Sequence, residues 1–239
     1  MKLFTLQMGA VGLAFACANA AAAPTVIEAQ AFTFSNPDSS VADVLVSDTG
    51  AATTIRFSDF ANSMAVSSND ADGNGYSGDL SFAARSGYVI TGYSFSATFV
   101  GTLDAATAPG GQAGSASNRG AVSLFANGDD NWSTNSNRQV NLLNGNDTFV
   151  FSSGNVALTH MTMSLNGSMT VFAMPATWTT PDGVLHSQDS LAGLTLLNPA
   201  LTVYTSAVPE PETYAMLALG LAVIGLTRRT RRRLQDAVA

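Results

Sequence analysis

The sequence contains few charged residues, and these are unevenly distributed. Asp, Glu, Lys and Arg make up 11% of the 239 residues, against the roughly 25% that is usual in globular proteins. Lys2 is the only lysine. Because lysine and glutamate are typical of helix surfaces, their scarcity argues against a helical cytosolic protein and favours an all-β fold rich in Ser, Thr, Asn and Gly.

Cysteine is almost absent. Cys17 is the only one, and it lies in an apolar stretch near the N-terminus. A domain that begins after this stretch contains no cysteine, which excludes a disulfide framework, a thiolate metal site and a cysteine nucleophile.

Between residues 24 and 207 the charges are mainly negative. Thirteen aspartates and one glutamate, Glu28, stand against four arginines, Arg56, Arg85, Arg119 and Arg138. Because a surface of this sign repels nucleic acids and anionic lipids, we expect no nucleic-acid partner. It can attract divalent cations or hydroxyl-rich polymers.

The N-terminus is typical of a secretory signal peptide. Met1-Lys2 provides a short positive start, residues 3–17 are mostly apolar, and residues 18–23 are small. This order predicts a signal helix in residues 1–23 that a signal peptidase removes, with cleavage after Ala20 or Ala22.

Two alternatives stay open for this end. The apolar stretch could act as an uncleaved helical anchor, although it is short for a membrane span. Cys17 could instead be lipidated, since residues 14–17 loosely resemble a lipobox, but the bulky Phe15 argues against this.

The C-terminal tail combines prolines, an apolar stretch and arginines. Pro209-Glu210-Pro211 favours an extended segment that resists helix formation. Residues 214–226 are predicted to form a single transmembrane helix, and the arginines stop transfer and stay cytoplasmic. These arginines are Arg228, Arg229, Arg231, Arg232 and Arg233. Such a helix covers roughly 20 Å of a hydrocarbon core about 30 Å thick, so it suits temporary retention better than an ordinary tail anchor.

This tail resembles the PEP-CTERM sorting domain of Gram-negative bacteria that make exopolysaccharide. Pro209, Glu210 and Pro211 match its motif, and the apolar and basic segments follow in order through residue 233, leaving 234–239 as a cytoplasmic end. The resemblance implies that an exosortase, a membrane protease-transpeptidase, cleaves the chain near the motif. The protein would then pass through the inner membrane transiently and reach the cell surface or the extracellular (biofilm) matrix. The resemblance does not define the domain at 24–207.

Strand patterns dominate residues 24–207. Runs in which large apolar and small polar residues alternate are separated by clusters of Gly, Asn, Asp and Ser. The runs are 27–34, 41–46, 53–57, 80–84, 93–100, 121–126, 148–151, 157–165, 168–174 and 194–204. They predict an antiparallel β-sandwich or jelly roll. Residues 67–78 and 105–120 are predicted to be loops.

Asn166-Gly167 is a turn signal between two of these runs. A two-residue loop would mix apolar and polar side chains on each face. We therefore expect a three-residue loop, 165–167, which pairs Met163 with Met169 and Met161 with Val171.

The segment from Asp70 to Tyr76 matches the opening of a calcium-binding loop. Asp70, Asp72 and Asn74 occupy positions 1, 3 and 5, and a glycine follows at position 6. The twelfth position is a serine instead of the usual glutamate, and Asp79 is one possible substitute. The pattern predicts a calcium site formed by Asp70, Asp72, Asn74, Tyr76 and Asp79. The alternative is a solvated turn without an ion.

A second candidate site is the segment Asp129-Asp130-Asn131-Trp132. A tryptophan ring can cover the apolar face of a sugar while neighbouring carboxylates and amides bind its hydroxyls. These four residues are therefore predicted to bind a glycan. The alternative is a polar loop with Trp132 packed into the core.

The sequence contains little that could support catalysis. His160 and His186 are the only histidines; we expect His160 to be packed within a strand and His186 to face solvent after a turn. No G-x-S-x-G, H-E-x-x-H or phosphate-loop motif is present. We therefore predict a non-enzymatic structural or adhesive protein of the cell surface or exopolysaccharide matrix. The alternative is a carbohydrate-binding module or a glycan-active hydrolase.

Overall fold

Antiparallel strands account for most of the regular structure, as the alternation in the sequence predicts. The structure, a computed structural model, describes residues 25–209 and 216–224. The strands are β1 (Thr25–Glu28), β2 (Phe32–Asn36), β3 (Val44–Asp48), β4 (Ala52–Arg56), β5 (Ala65–Ser68), β6 (Asp72–Ala84), β7 (Tyr88–Asp104), β8 (Ser115–Gly128), β9 (Ser133–Asn141), β10 (Gly145–Leu158), β11 (His160–Met174), β12 (Ala176–Thr179), β13 (Leu185–Gln188) and β14 (Leu191–Ala207). A short helix, α1 (Ser58–Ser63), lies between β4 and β5.

The strands form two main sheets. Sheet A has the order β1-β2-β6-β11-β8-β9, and sheet B has the order β10-β7-β14-β4-β3, with β5 also paired to β14. Strands β12 and β13 form a separate hairpin. Both main sheets contribute to one hydrophobic core, which fits the predicted β-sandwich.

Period-two alternation places the apolar side chains in this core. Along β11 the odd-numbered residues from Met161 to Ala173 point inward, and all of them are buried except Gly167, which is partly exposed. Phe60 of α1 connects the aromatic rings of the two sheets, with 4.9 Å between ring centroids to Tyr76 of β6 and 6.3 Å to Phe95 of β7. Each such side chain contributes roughly 1.5–3 kcal/mol through burial, so the rings stabilise the contact between the sheets.

The predicted hairpin at Asn166-Gly167 is wrong. β11 continues through both residues and pairs Gly167 with Tyr76 of β6. Gly167 points inward, and a Cβ added there would lie 2.6 Å from Met64 Sδ and 2.8 Å from Phe60 Cε2. The glycine is required by close packing against this neighbouring segment, and not by a turn.

Other predicted boundaries also change. Residues 72–78 belong to β6 and residues 115–120 belong to β8, so much of both predicted loops is strand. The predicted run 27–34 is divided between β1 and β2. Pairing with β11 on both sides explains the two longer strands, because the ladder supplies hydrogen bonds that override the low strand propensity of Gly, Asn and Asp.

Of the two helices predicted at the ends of the chain, the structure describes part of the C-terminal one. Residues 216–224 are helical and lie within the predicted apolar stretch 214–226. Across residues 25–209 and 216–224, no helix is both long enough and apolar enough to cross a bilayer. The transmembrane helix stays a prediction, and the signal peptide and Cys17 lie outside the described residues.

Gly167→Ala is expected to destabilise the protein by about 1–3 kcal/mol, because the added methyl group overpacks the contact with Met64 and Phe60. Urea unfolding measures this cost. A Met64→Ala background makes room for the methyl group, so the same substitution should cost less there. Strictly additive effects of the two substitutions would contradict the packing role of Gly167.

Candidate functional site

The residues predicted to bind calcium do not form a loop. Asp72, Asn74, Tyr76 and Asp79 lie in β6, and Asp70 precedes it. Because successive strand residues point to opposite faces, Asp79 lies on the face opposite to the other three. Within the described ranges, no group of three or more His, Cys, Asp or Glu side chains is placed to hold a metal ion. Calcium binding by these residues stays a prediction, although most of the segment predicted to form the loop is strand.

Two of these residues make contacts within the domain instead. The Tyr76 ring packs on Phe60 with 4.9 Å between ring centroids. Asp79 Oδ1 accepts a hydrogen bond of 2.6 Å from Ser164 Oγ across the β6–β11 pair. Tyr76 therefore supports the inner side of sheet A, whereas Asp79 belongs to its outer surface.

The residues predicted to bind a glycan lie at one end of sheet A. Asp129, Asp130 and Asn131 form a single 3-10 turn after β8. Asp129 Oδ2 accepts hydrogen bonds from the Thr159 N–H at 2.7 Å and from its hydroxyl at 2.6 Å. These hydrogen bonds, the side-chain one foremost, lower the pKa of Asp129. The carboxylate therefore holds the β10–β11 connection.

Trp132 follows this turn and is half-buried against the core. This partial burial fits the alternative in which Trp132 packs into the core better than it fits an exposed ring on which a sugar can stack. Glycan binding by the segment 129–132 stays a prediction.

The two histidines are both exposed. His160 is the first residue of β11, where its even number places it on the outer side, so the prediction that it is packed is wrong. His186 is exposed, as predicted, and stacks on Trp178 at 5.5 Å between ring centroids with 14° between the ring planes.

The outer side of sheet A forms a continuous polar surface over four strands, and we call it the polar face. It consists of Ser77, Asp79 and Ser81 of β6, Thr162, Ser164, Asn166, Ser168 and Thr170 of β11, Arg119, Ala121, Ser123, Phe125 and Asn127 of β8, and Asn135, Asn137, Gln139 and Asn141 of β9. These strands lie side by side in register, so their outward side chains form rows across the sheet.

The central row contains only hydroxyl and amide groups. Asn166 lies opposite Ser77 on one side and Ser123 on the other, and Asn137 completes the row. Ser77 Oγ donates a hydrogen bond of 2.8 Å to Asn166 Oδ1. This contact orients the amide, so that its Nδ2 group is available to a ligand.

Four depressions follow β11 along this surface. One of about 590 Å³ lies beside Thr170 and Phe172, and one of about 200 Å³ lies beside Asn166 and Ser168. Two more, of about 390 and 180 Å³, lie beside Thr162. The polar face is therefore furrowed along the strand direction.

Sequence reasoning missed the polar face. The signal was available in residues 161–171, where Thr, Ser and Asn alternate with Met, Leu and Val. Interpreting Asn166-Gly167 as a turn divided this alternation into two short strands and hid the continuous outer side of β11.

The C-terminal tail leaves the sandwich at the end of β14. The Val208 N–H donates a hydrogen bond of 2.8 Å to the Gly87 carbonyl, which anchors the chain there, and Pro209 follows immediately. The remaining residues of the predicted motif and the arginine cluster lie outside the described residues. These are Glu210, Pro211, Arg228, Arg229, Arg231, Arg232 and Arg233.

The tail matches the family described as the PEP-CTERM protein-sorting motif over residues 207–233. The chain carries a PEP-CTERM sorting motif. This finding confirms the prediction made from Pro209, Glu210 and Pro211, and it supports processing by an exosortase, export and sorting to the cell surface.

Similarity to solved structures is distant. TmCBM61, a carbohydrate-binding module solved in complex with beta-1,4-galactotriose, has 8% identity over 74% of this chain and 88% of that chain, with a TM-score of 0.23. A CBM4 protein has 13% identity over 47% and 76%, with a TM-score of 0.19. A chain of infectious bursal disease virus Gx strain has 14% identity over 75% and 48%, with a TM-score of 0.16. These likenesses carry no argument about this chain. No curated protein matches the sequence.

A buried polar pair lies at the two ends of the connection between β2 and β3. Asn36 is fully buried, and its Nδ2 group donates a hydrogen bond of 2.7 Å to Oδ2 of Asp43, which is 6% exposed. The Oδ1 atoms of both residues are buried without a hydrogen-bond partner. Burial raises the pKa of Asp43 to about 6, against the lowering effect of hydrogen bonds from Asn36 and Ser58.

Asp43→Asn should stabilise the protein at neutral pH, because it replaces a buried charge with a neutral amide. The carboxyl titrates near 3.8 when unfolded and near 6 when folded, so the folded state binds the proton more tightly. The stabilisation that protonated Asp43 provides to the folded state is complete below about pH 4 and is lost as the pH rises through about 6.

Thermal unfolding of wild type and Asp43→Asn at a series of pH values tests this expectation. The melting temperature of the variant should exceed that of wild type by more at pH 7 than at pH 4. The exposed Asp70→Asn is the matched control and should show no such trend. A constant difference between wild type and Asp43→Asn over this range would contradict the role of the buried charge.

Proposed function

We propose that the protein is an exported, non-enzymatic adhesive protein of the cell surface or exopolysaccharide matrix, and that its sandwich binds polysaccharide through the polar face. The PEP-CTERM motif supports the delivery. The chemistry of the polar face supports the binding, and it is the observation on which the proposed role of the domain depends.

Amides and hydroxyls suit a sugar because each can donate and accept hydrogen bonds, as sugar hydroxyls do. Asn137 and Gln139 of β9 present such groups in the same rows as Asn166 and Ser168 of β11, with β8 between the two strands. Phe125 adds an exposed ring on which the apolar face of a sugar can pack. A surface with this combination binds polysaccharide without needing ionic contacts.

The number and the hydrogen bonds of the carboxylates on the polar face are consistent with a purely adhesive role. Asp79 is the only acidic residue of the polar face, and it is engaged by Ser164. Glycoside hydrolysis normally requires two carboxyl groups that flank the scissile bond. Asp38 adds a second carboxylate beside Asp79, since its Oδ2 accepts a hydrogen bond of 3.0 Å from the Asp79 N–H. Both carboxylates are engaged in hydrogen bonds within the protein, and we propose that the surface binds without turnover.

Replacing Pro209, Glu210 and Pro211 together with alanine should block sorting. We expect the variant to accumulate in the cell envelope with its C-terminus intact, because the exosortase no longer recognises the motif. Cell fractionation and intact-mass measurement check this. Pro181→Ala with Asp182→Ala, in an exposed turn, is the control and should be sorted normally. Normal release of the motif variant would contradict exosortase handling.

Asn137→Ala with Asn166→Ala should weaken polysaccharide binding about tenfold or more, because two hydrogen-bonding amides are lost. Affinity electrophoresis of the full-length protein in gels that contain polysaccharide measures the change. The control pair is Thr98→Ala with Thr148→Ala on the outer side of sheet B, where the two hydroxyls lie 2.9 Å apart. Equal effects of both pairs would contradict a role for the polar face.

A further inference from the structure

The rows along β11 from Thr162 to Phe172 form a strip of the outer surface of sheet A. This strip carries one exposed phenylalanine near each end. Phe125 of β8 lies opposite Ser164, and its side chain is 42% exposed. Phe172 of β11 lies opposite Ser117 and is 44% exposed. Eight residues separate Ser164 from Phe172, so the rings lie roughly 27 Å apart along the strand direction. One monosaccharide or disaccharide cannot contact both.

The surface between the two rings is uncharged at its centre. The rows at Asn166 and Ser168 contain hydroxyls, amides, glycine and alanine, and no ionisable side chain. Asp79 lies in the row of Phe125, and Arg119 lies one row before Phe172. Asp38 lies beside Asp79, and Asp72 lines the same depression as Arg119, so the charges lie towards the two ends and the centre is neutral.

The net negative charge of the domain disfavours the binding of a polyanion. Its thirteen aspartates and one glutamate outnumber its four arginines, so an acidic polymer approaches a surface of its own sign. A neutral polymer experiences no such repulsion, and it can use the hydroxyl and amide rows directly.

The depressions indicate the path of the ligand. They occur beside Phe172, beside Asn166 and beside Thr162, and β11 is the strand that borders all of them, although the one beside Phe172 also extends across β6, β8 and β9. A linear chain that occupies them passes both rings, and hydrogen-bonding groups lie between the rings along its length.

We propose that the polar face, together with Phe172 in the adjoining row, binds a stretch of a single, uncharged, linear polysaccharide that lies along β11 and stacks sugar rings on Phe125 and on Phe172. This inference rests on the polysaccharide binding proposed above and specifies the class of ligand. Both rings engage the same chain, so affinity increases with ligand length until the ligand spans both.

The experiment uses full-length protein with neutral linear probes (a galactomannan, a mixed-linkage β-glucan and amylose) and with alginate and hyaluronan as polyanions. Affinity electrophoresis identifies the polymer that binds, and calorimetry then compares a disaccharide with an octasaccharide of that polymer. We expect a neutral polymer to bind, and the octasaccharide to bind at least tenfold more tightly than the disaccharide.

Variants of the two rings test the shared ligand. Phe125→Ala and Phe172→Ala should each reduce octasaccharide affinity roughly two- to tenfold, and the advantage of the octasaccharide over the disaccharide should shrink in each. Phe125→Tyr keeps a ring and should retain binding. Val150→Ala is the control, because Val150 is an apolar side chain, 61% exposed, on the outer side of sheet B.

These measurements distinguish failure of the proposed function from failure of this inference alone. Binding of none of these polysaccharides would overturn both the proposed function and this inference. Preference for alginate or hyaluronan, or equal affinity for the disaccharide and the octasaccharide, would overturn the inference alone. Ring variants that change the oligomeric state but not polysaccharide affinity would also overturn it, since the rings would then belong to a protein interface.

Discussion

The alternation of side chains along β11 is the constraint on which both the core and the polar face depend. Its odd-numbered residues form part of the hydrophobic core, and its even-numbered residues form the centre of the outer surface of sheet A. A shift of one residue in the pairing would exchange these two sets and expose the methionines. β11 lies between β6 and β8, and both neighbours are paired with it over most of its length, so the register is held from two sides.

Gly167 shows how closely the inner side of this strand is packed. Met64 and Phe60 lie where any larger side chain at position 167 would project. The glycine interrupts the row of apolar side chains on β11 without interrupting the strand, and the segment around α1 fills the space that it leaves. The outer side therefore continues unbroken across the same position, which allows Asn166 and Ser168 to join one surface.

The low charge of the domain and its exported destination are physically consistent. A surface of hydroxyls and amides gives a neutral, hydrated ligand many directional contacts, whereas a surface of lysines and glutamates would favour ionic partners. Asp43 and Asp59 are exceptions to the general exposure of the carboxylates, and burial raises the pKa of Asp43 to about 6 beside its hydrogen bond from Asn36. The match to the PEP-CTERM motif begins at Ala207, the last residue of β14, so the sorting signal and the polar face are separate parts of the chain.

The sequence by itself determined the features that depend on local chemistry. The alternation of residues predicted the all-β class, and Pro209, Glu210 and Pro211 predicted the sorting motif, because an extended proline segment, an apolar stretch and a basic end are recognised in order along the chain. The tertiary structure decided whether Asn166-Gly167 is a turn or a strand, since the same dipeptide suits a hairpin and a close contact, and only Met64 and Phe60 distinguish them. It likewise decided that His160 is exposed and that Asp79 lies apart from Asp72, because the side of a sheet on which a residue lies is set by its pairing partners. The polar face exists only where four strands from three separate parts of the sequence lie side by side, and no local pattern specifies that arrangement.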